Sequence, residues 1–321
     1  MTALDSIKDS ISPDLTRLNS LIRLRLASDN PLMSEILESF LHTTGKQIRP
    51  IIVLLCAKMA GGVTDHVVEA AASVELLHNA SLIHDDVIDE SKLRRNKPTI
   101  NAVWDNHIAV LVGDYFVSSA LQLAIDTGDM RVIDEIGRLG RLLSLGELDQ
   151  IYNAREHLLT EEAYFRIIGY KTASLFVACA RVGCFASGAS DELEHDLSKI
   201  AELLGLCFQI RDDIFDYFPS TDIGKPSGND LREGKITLPL LHVLLQEDAP
   251  DHQAMNLLAS KDEFSEEDVE TLYGYARQNG GIEYAYEVME RLRTQADEIA
   301  RRLPRPTELM AIFDYIIKRN F

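Results

Sequence analysis

Apolar residues recur at the spacing of an α-helix through most of the chain. Segments such as VVEAAASVELLHNASLIHDDVID and ELEHDLSKIAELLGLCFQIRDDIFDYF place apolar side chains at i, i+3 and i+4, so that they share one face of a helix. No segment shows the alternation of apolar and polar residues that is typical of a half-buried strand. Breaks fall at glycines and prolines, and the composition does not shift along the chain. The sequence therefore predicts an all-α protein with a single domain over residues 1–321.

Two short acidic clusters lie inside these apolar helical segments. Both have the pattern D-D-x-x-D, at residues 85–89 and 212–216. A carboxylate in an apolar helix is costly to desolvate unless it is paired or binds a cation. Carboxylate oxygens are the ligands that Mg²⁺ prefers, and bound Mg²⁺ commonly bridges to phosphate oxygens. Two such clusters predict two acidic walls across one cavity that binds divalent metal, with a diphosphate or a nucleotide as the ligand.

Basic residues that would bind the phosphates lie near the acidic clusters or near glycine and proline breaks. They are Lys46, Arg49, Arg94, Arg95, Lys171, Lys225 and Lys235. The chain has no G-x-x-x-x-G-K-[ST] loop, and the glycines around Gly137 follow no predicted strand. These absences argue against a nucleotide-fold phosphate cradle. Phosphate binding must then depend on metal ions and side chains.

The overall charge argues against nucleic acid as a partner. The chain has 32 basic and 51 acidic residues, a formal charge of −19, whereas phosphate-backbone binding needs a basic surface. The four cysteines form no C-x-x-C pair, which predicts buried free thiols in a reducing compartment. The N-terminus does not resemble a signal peptide, and no run approaches the roughly 18 apolar residues of a membrane span. We therefore expect a cytoplasmic protein without a transmembrane segment.

A di-iron site is an alternative to the magnesium site. Glu75-x-x-His78 and Glu192-x-x-His195 both have the E-x-x-H spacing of four-helix di-iron proteins. The second pair lies in ASDELEHDLSK, a polar stretch that is more typical of a solvated helix start. The di-iron hypothesis also leaves both acidic clusters unexplained.

Taken in order, the motifs resemble those of the trans-isoprenyl diphosphate synthase (polyprenyl synthetase) family. The matching segments are GKQIRP, LLHNASLIHDDVIDES, RRNKPT, YKTASLF, FQIRDDIFDYF and GKPSGNDLREGKITLPL. The resemblance is strong from about residue 40 to 245 and weak at the terminal YIIKR. It implies the isoprenoid synthase fold, a single-domain helical bundle around a central cavity, and a homodimer.

The resemblance also implies a reaction. Mg²⁺, three ions per active site, would be bound by Asp85, Asp89 and Asp212 and would bridge to the diphosphate of an allylic substrate. Asp86, Asp213 and Asp216 would support this set less directly. Neutralising the diphosphate promotes ionisation to an allylic cation, which the double bond of isopentenyl diphosphate attacks. Proton loss, with diphosphate as the base, then completes the elongation.

Further residues acquire roles from the same resemblance. Isopentenyl diphosphate would be held without metal by Lys46, Arg49, His78 and Arg95. The allylic diphosphate would be held by Arg94, Lys171, Thr172, Gln209, Lys225 and Lys235. Lys171, Thr172 and Gln209 would also steady the cation through their dipoles, which makes Lys171 a catalytic candidate beside the metal-binding aspartates. Asn96 departs from the glycine that is common in the family.

Product length would be set near the first acidic cluster. Ala80 and Ser81 lie one turn before Asp85, where bulky residues in this family stop growth early. Small residues there predict an open pocket, although small residues also permit close helix packing. Tyr115 and Phe116 on the following helix would close the pocket from the other side. We expect a medium- or long-chain all-trans polyprenyl diphosphate, octaprenyl-like and suited to a quinone side chain, with transient membrane contact for its release.

Three alternatives remain at this stage. A short-chain farnesyl or geranylgeranyl diphosphate synthase would share every motif except the open pocket. A class I terpene cyclase would share the fold and the first cluster, but it usually has an N-D-x-x-S-x-x-x-E type second metal motif. An inactive regulatory subunit typically loses one acidic cluster, and both are intact here.

Overall fold

The computed structural model describes residues 3–41, 47–94, 97–218, 228–261 and 263–318. Its first helices are α1 (Ala3–Ser10), α2 (Ser12–Leu26), α3 (Pro31–Leu41), α4 (Ile48–Met59), α5 (Asp65–Ile88), α6 (Ile100–Val103) and α7 (Asn106–Asp126). They are followed by α8 (Met130–Glu156), α9 (Glu161–Ile168), α10 (Ser174–Ser187), α11 (Asp191–Asp216), α12 (Asn229–Arg232), α13 (Leu238–Leu244), α14 (His252–Ala259), α15 (Glu266–Gln278), α16 (Gly281–Ala300) and α17 (Thr307–Lys318). A π-helical turn, Gly169–Ala173, separates α9 from α10. Strands β1 (Leu93–Arg94) and β2 (Lys97–Pro98) form an antiparallel ribbon. The predicted all-α class is confirmed.

Contacts within the chain group it into two compact units. Unit 1 comprises Met1–Arg141, Leu175–Ala201 and Leu303–Ala311. Unit 2 comprises Leu142–Ser174, Glu202–Arg302 and Ile312–Phe321. The single domain over residues 1–321 stays a prediction, and each unit is described by itself.

Unit 1 is organised around α5, which packs against α2, α4 and α7. The Thr64 side chain accepts a hydrogen bond from the Val67 N–H and begins the helix. Further along α5, residues 70–73 are Ala-Ala-Ala-Ser and are fully buried. The Ser73 hydroxyl donates to the Ala120 carbonyl of α7 at 2.8 Å. These small residues let α7 approach α5 closely.

A glycine allows a second close approach within unit 1. A Cβ on Gly113 of α7 would lie 2.2 Å from Nε2 of His84 on α5. Real Cβ atoms are not found at that distance, so a larger residue here would require the imidazole to move. Gly113 therefore lets α7 pack beside the residue that immediately precedes the first acidic cluster.

Unit 2 has its core where α13 packs against α15 and α16. Tyr217 and Tyr273 are buried there and stack with their ring centres 4.0 Å apart. The Tyr217 hydroxyl accepts a hydrogen bond from the Leu240 N–H at 3.1 Å. Burying large aromatic rings stabilises this unit, and the hydroxyl retains a partner after it leaves water.

Two helical segments are long and apolar enough to span a membrane by length and composition. They are Asn106–Asp126 and Glu161–Ser187, with mean hydropathies of 1.7 and 1.2. The prediction concerned uninterrupted runs of about 18 apolar residues, whereas mean hydropathy also admits segments in which isolated polar residues interrupt the apolar ones. The protein itself buries 44% and 61% of the residues in the two most apolar windows. Core helices of globular proteins meet the same criterion, so these segments are weak evidence for membrane insertion.

Candidate active site

The first acidic cluster lies at the C-terminal end of α5. The three carboxylates differ in exposure: Asp86 is buried, Asp85 is half-buried and Asp89 is exposed. Asp89 ends the helix, with its N–H donating to the Asp85 carbonyl at 2.8 Å. The helix therefore presents the outer two carboxylates towards solvent and turns the middle one inward.

An arginine from the β1–β2 ribbon holds the buried aspartate. Arg94 Nε lies 2.9 Å from Oδ1 and 3.1 Å from Oδ2 of Asp86, and Arg94 Nη2 lies 2.7 Å from Oδ1. A guanidinium that contacts both carboxylate oxygens makes a strong, directional ion pair. The Asn101 side-chain amide also donates to the Asp86 backbone carbonyl at 3.1 Å. In this structure Arg94, a predicted ligand of the allylic diphosphate, is paired with the middle aspartate.

The second acidic cluster lies at the C-terminal end of α11 in unit 2. Its last two carboxylates accept hydrogen bonds from neutral groups. Asp213 accepts from the Tyr164 hydroxyl at 2.6 Å and from the Gln209 amide at 2.8 Å. Asp216 accepts from the Tyr273 hydroxyl at 2.6 Å. Asp213 is buried, whereas Asp212 and Asp216 are half-buried.

Asp216 has a further role in the backbone of unit 2. It accepts from the N–H groups of Asn229 at 3.1 Å and Asp230 at 3.0 Å, and both groups lie in the first turn of α12. A carboxylate at this position satisfies N–H groups that have no partner within the helix. Asp216 thus fixes the point where the chain re-enters a helix after the second cluster.

Burial dominates the ionisation of Asp213. Removing Asp213 from water raises the pKa of its carboxyl to about 7, while the hydrogen bonds from Tyr164 and Gln209 act in the opposite direction. Burial also raises the pKa of the Tyr164 phenol well above its ordinary value, and the nearby Asp213 charge adds to the effect. The phenol therefore stays protonated and remains a hydrogen-bond donor to the carboxylate.

A hydrogen-bonded chain links the second cluster to the π-helical turn. Gln209 Nε2 donates to Asp213, and Gln209 Oε1 accepts from the Thr172 hydroxyl at 2.7 Å. Lys171, in the same turn, donates to Gln150 Oε1 at 3.0 Å and forms an ion pair with Glu147. A Cβ on Gly146 would lie 2.7 Å from Lys171 Cγ. The glycine therefore lets α8 come close enough to hold the lysine.

A cavity of about 510 Å³ lies in unit 2 and brings several of these side chains together. The predicted site residues on its wall are Lys171, Thr172, Gln209, Asp213 and Lys235. Lys235 also forms an ion pair with Glu233 at 2.5 Å. Two ammonium groups beside hydroxyl and amide dipoles give this cavity the chemistry to bind an anion at one point and an electron-poor carbon at another.

The predicted ligands of isopentenyl diphosphate are only partly covered by the structure. In unit 1 the Arg49 guanidinium carbon lies 5.9 Å from the centre of the Phe176 ring, and the His78 imidazole is buried. A cation over an aromatic face is held in place without losing its charge. Lys46 and Arg95 lie outside the described residues, as does Lys225, which is predicted to bind the allylic diphosphate.

The four predicted chain-length residues all lie in unit 1. Ala80 is fully buried, and the Ser81 hydroxyl donates to the His78 carbonyl at 2.9 Å. The ring of Phe116 is fully buried and packs edge-on against Phe40, with ring centres 5.3 Å apart. The Tyr115 hydroxyl donates to the carbonyl of Leu26, which ends α2, at 3.3 Å. The polar atoms of Ser81 and Tyr115 are thus bonded to backbone carbonyls.

Comparison with known proteins identifies the family. The polyprenyl synthetase family model matches residues 30–276. The chain belongs to the polyprenyl synthetase family. It is 36% identical over 245 residues to octaprenyl diphosphate synthase of Haemophilus influenzae, an alignment that covers 76% of this chain and 74% of that protein.

Solved structures show the same relationship. The decaprenyl diphosphate synthase of Rhodobacter capsulatus matches with a TM-score of 0.91 and 34% identity, over 98% of this chain and 99% of that chain. The geranylgeranyl pyrophosphate synthase of Bacteroides thetaiotaomicron matches with a TM-score of 0.85 and 34% identity, over 99% of both chains. The predicted fold and the prediction of a prenyltransferase that makes polyprenyl diphosphates are confirmed.

The acidic residues of this polyprenyl synthetase suit magnesium by their chemistry. Asp85, Asp89 and Asp212 offer carboxylate oxygens at half-buried or exposed positions, as a hydrated, hard cation requires. Asp86 is paired with Arg94, and Asp213 and Asp216 accept hydrogen bonds from tyrosine hydroxyls. Among the described residues, no three His, Cys, Asp or Glu side chains converge into a group that would hold a metal by themselves. A phosphate-bridged ion fits this donor set, since it takes part of its coordination from substrate and water.

The E-x-x-H pairs do not form a comparable set. Glu192 and His195 are both exposed in the first turns of α11, in agreement with the predicted solvated helix start. The four cysteines are buried and free, as predicted.

Several residues of this site were missed by the sequence analysis. Tyr164 on α9 lies 49 residues before Asp213 in the sequence, and Tyr273 on α15 lies 57 residues after Asp216. Glu147 and Gln150 would have been detectable, because their i, i+3 spacing places both on one face of α8. The tyrosines carry no such local signal, since only the tertiary fold brings them to α11.

Proposed function

We propose that this polyprenyl synthetase condenses isopentenyl diphosphate with an allylic diphosphate, in an Mg²⁺-dependent reaction, to make a medium- or long-chain all-trans polyprenyl diphosphate. The observation that carries the proposal is the cavity of unit 2, where Lys171 and Lys235 lie on the same wall as Thr172 and Gln209. The cationic side chains would bind the allylic diphosphate. The hydroxyl and amide dipoles would act on its carbon chain.

Magnesium supplies charge neutralisation that makes diphosphate a good leaving group. Asp85, Asp89 and Asp212 would hold about three ions, as the family pattern implies. Arg94, Lys225 and Lys235 would add positive charge around the departing diphosphate. Arg94 would have to share its guanidinium between Asp86 and the substrate, since it is bonded to Asp86 before substrate binds.

Lys171 would change partners when substrate binds. Its ammonium group is paired with Glu147 and hydrogen-bonded to Gln150. A diphosphate carries more charge than one carboxylate and would compete for the lysine. Glu147 would then hold Lys171 in place between turnovers and keep the ammonium oriented towards the cavity.

Isopentenyl diphosphate would bind without metal, through Arg49 and His78 together with Lys46 and Arg95. Arg49 lies over the Phe176 ring and retains its full charge, which suits a diphosphate ligand. The released diphosphate would take the proton that the new carbon–carbon bond displaces. No protein nucleophile is needed in this scheme.

Product length follows from the surroundings of Ala80 and Ser81. The small residues at positions 70–73 already pack against α7, as the Ser73–Ala120 hydrogen bond indicates. The room for a growing chain would therefore depend on positions 80 and 81, with Phe116 and Tyr115 restricting it from α7. The alternative is a short-chain product, such as farnesyl or geranylgeranyl diphosphate.

We also propose that the enzyme is a cytoplasmic homodimer that touches membranes only transiently, when it releases product. Four apolar side chains of α7 are exposed: Val110, Leu111, Leu121 and Ile125. At 100° per residue they fall within a stripe about 100° wide on the helix, and a second copy of this acidic chain would cover the stripe. Light scattering after gel filtration should give a dimer, and Leu111→Glu should give monomers; a monomeric wild type would refute this part.

An elongation assay tests the function directly. Purified protein is incubated with Mg²⁺, isopentenyl diphosphate and farnesyl diphosphate, and the products are separated by chain length. We expect an Mg²⁺-dependent product longer than geranylgeranyl diphosphate. A product no longer than geranylgeranyl diphosphate would refute the proposed length, and no elongation at all would refute the proposed reaction. A cyclic hydrocarbon would instead support a terpene cyclase.

A further inference from the structure

Tyr164 is a buried phenol that touches the second acidic cluster but has no role in the reaction described so far. It lies on α9, and its hydroxyl donates to Asp213 Oδ2 at 2.6 Å. The ring is 7% exposed and packs edge-on against Phe165 with ring centres 5.3 Å apart. The ring is therefore held in one place, and the hydroxyl makes a short hydrogen bond to a charged acceptor.

The hydrogen bonds around Asp213 have a fixed order of donors and acceptors. Tyr164 and Gln209 both donate to Asp213, the phenol to Oδ2 and the amide to Oδ1. Gln209 uses its Nε2 for that bond, at 2.8 Å. Its Oε1 therefore points the other way, where it accepts from the Thr172 hydroxyl at 2.7 Å.

This order of donors and acceptors fixes the orientation of the Gln209 side-chain amide. Turning the amide over would place Oε1 against a carboxylate oxygen and leave the Thr172 hydroxyl without its acceptor. Both losses are costly for groups that are shielded from water. With Thr172 donating to Gln209, the lone pairs of the Thr172 oxygen are left for the cavity. The Thr172 hydroxyl dipole would face an electron-poor carbon. Its orientation is determined by the hydrogen bonds that link Tyr164, Asp213, Gln209 and Thr172.

We propose that Tyr164 is a positioning residue for prenyl transfer, acting through Asp213 and Gln209 to hold the Thr172 and Gln209 dipoles in their productive orientation. The inference rests on the proposed function, in which those dipoles act on the allylic substrate. Without the phenol, the Asp213 carboxylate loses a donor on Oδ2 and can rotate, and Gln209 loses the anchor that orients it.

The test is Tyr164→Phe, which removes one oxygen atom and keeps the packed ring. We expect kcat to fall about tenfold, the scale of one lost hydrogen bond to a charged group. KM for isopentenyl diphosphate should not change, because the residues assigned to that substrate are elsewhere. The matched control is Tyr275→Phe, since the buried Tyr275 hydroxyl has no hydrogen-bond partner within the described residues; its kcat should equal that of the wild type.

A double-mutant cycle distinguishes positioning from a general structural role. If Tyr164 acts through Gln209, Tyr164→Phe should have little further effect on kcat in a Gln209→Ala background. Equal kcat losses in both backgrounds would overturn the inference, as would an unchanged kcat for Tyr164→Phe in an active enzyme. Absence of elongation by the wild type would instead refute the proposed function.

A second variant is available if Tyr164→Phe does not fold. Gln209→Glu cannot donate to Asp213 and places two carboxylates together, so it should lower kcat below that of Gln209→Ala. Equal kcat values for the two Gln209 variants would also count against the inference, because the donated hydrogen bond would then have no consequence.

Discussion

The two acidic clusters have the same sequence pattern but are held by different chemistry. In the first, a charged guanidinium clamps the middle aspartate, Asp86. In the second, neutral hydroxyl and amide donors hold Asp213, and a tyrosine with two backbone N–H groups holds Asp216. An arginine compensates the charge of its aspartate, whereas neutral donors leave the charge in place and stabilise it by hydrogen bonds alone. Among the described residues, the second cluster therefore has no counter-charge on Asp213, whose pKa burial raises to about 7.

The residues one turn before each cluster differ as well. Ala80 and Ser81 precede the first cluster, whereas Cys207 and Phe208 occupy the same positions before the second. Cys207 is buried and lies 3.6 Å from the Met289 carbonyl, and Ala80 is buried as well. The two positions therefore differ in side-chain size and not in burial. One motif would then serve two purposes. In the proposed function the first cluster would combine metal binding with control of product length, and the second would combine metal binding with orientation of the cavity dipoles.

The largest effect should come from removing an outer aspartate of the first cluster. Asp85→Ala should lower turnover by at least about a thousandfold, because a metal–phosphate contact contributes several kcal/mol to the transition state. Elongation at saturating substrates measures it. Asp86→Asn should lower turnover less than Asp85→Ala. A greater loss of turnover in Asp86→Asn would contradict the assignment of metal binding to Asp85.

The next largest effect is a change of product. Ser81→Phe places before the first cluster the residue type that Phe208 provides before the second. The phenylalanine ring would fill the space beside Ala80. Products should then end at a shorter chain length, while the first condensation keeps its rate. Chromatography of the reaction products measures both quantities.

Ala72→Phe is the matched control for product length. Ala72 is fully buried in unit 1, so overpacking should lower stability by about 1–3 kcal/mol and leave the product pattern of the folded fraction unchanged. An unchanged product length in Ser81→Phe would contradict the pocket assignment.

The third effect concerns stability. Arg94→Ala leaves buried Asp86 without its charged partner, and it should lower the free energy of unfolding by about 2 kcal/mol. Urea denaturation monitored by circular dichroism measures this loss. Arg17→Ala breaks the exposed pair with Asp65, whose side chains are 43% and 87% exposed, and should cost at most about 0.5 kcal/mol. Equal losses in the two variants would mean that Arg94 does not support the cluster.

The smallest effect is expected from the neutral support of the second cluster. Tyr164→Phe should lower the free energy of unfolding by about 1 kcal/mol, since Asp213 keeps its bond to Gln209. The same urea experiment compares it with Arg94→Ala. If Tyr164→Phe lowers the free energy of unfolding more than Arg94→Ala does, the neutral donors stabilise the fold more than the ion pair, contrary to this prediction.

Much of the fold and of the reaction class could be predicted from local sequence. Helical periodicity gave the all-α class, and the ordered motifs indicated the family that the comparisons then showed. The supports of the clusters could not be predicted, because Tyr164 and Tyr273 reach the aspartates only through tertiary packing. The pairing of Arg94 with Asp86 was missed for a different reason. The arginine lies only eight residues from the aspartate, but its side chain is turned back by a ribbon whose geometry the motif does not specify.

The Mg²⁺ dependence of turnover in two neighbouring variants separates metal binding from positioning within the second cluster. If Asp212 binds metal and Asp213 is a positioning residue, Asp212→Asn should raise the Mg²⁺ concentration needed for half-maximal activity by about tenfold or more. Asp213→Asn should lower kcat while leaving that concentration unchanged. A raised Mg²⁺ requirement in Asp213→Asn together with an unchanged one in Asp212→Asn would contradict the account.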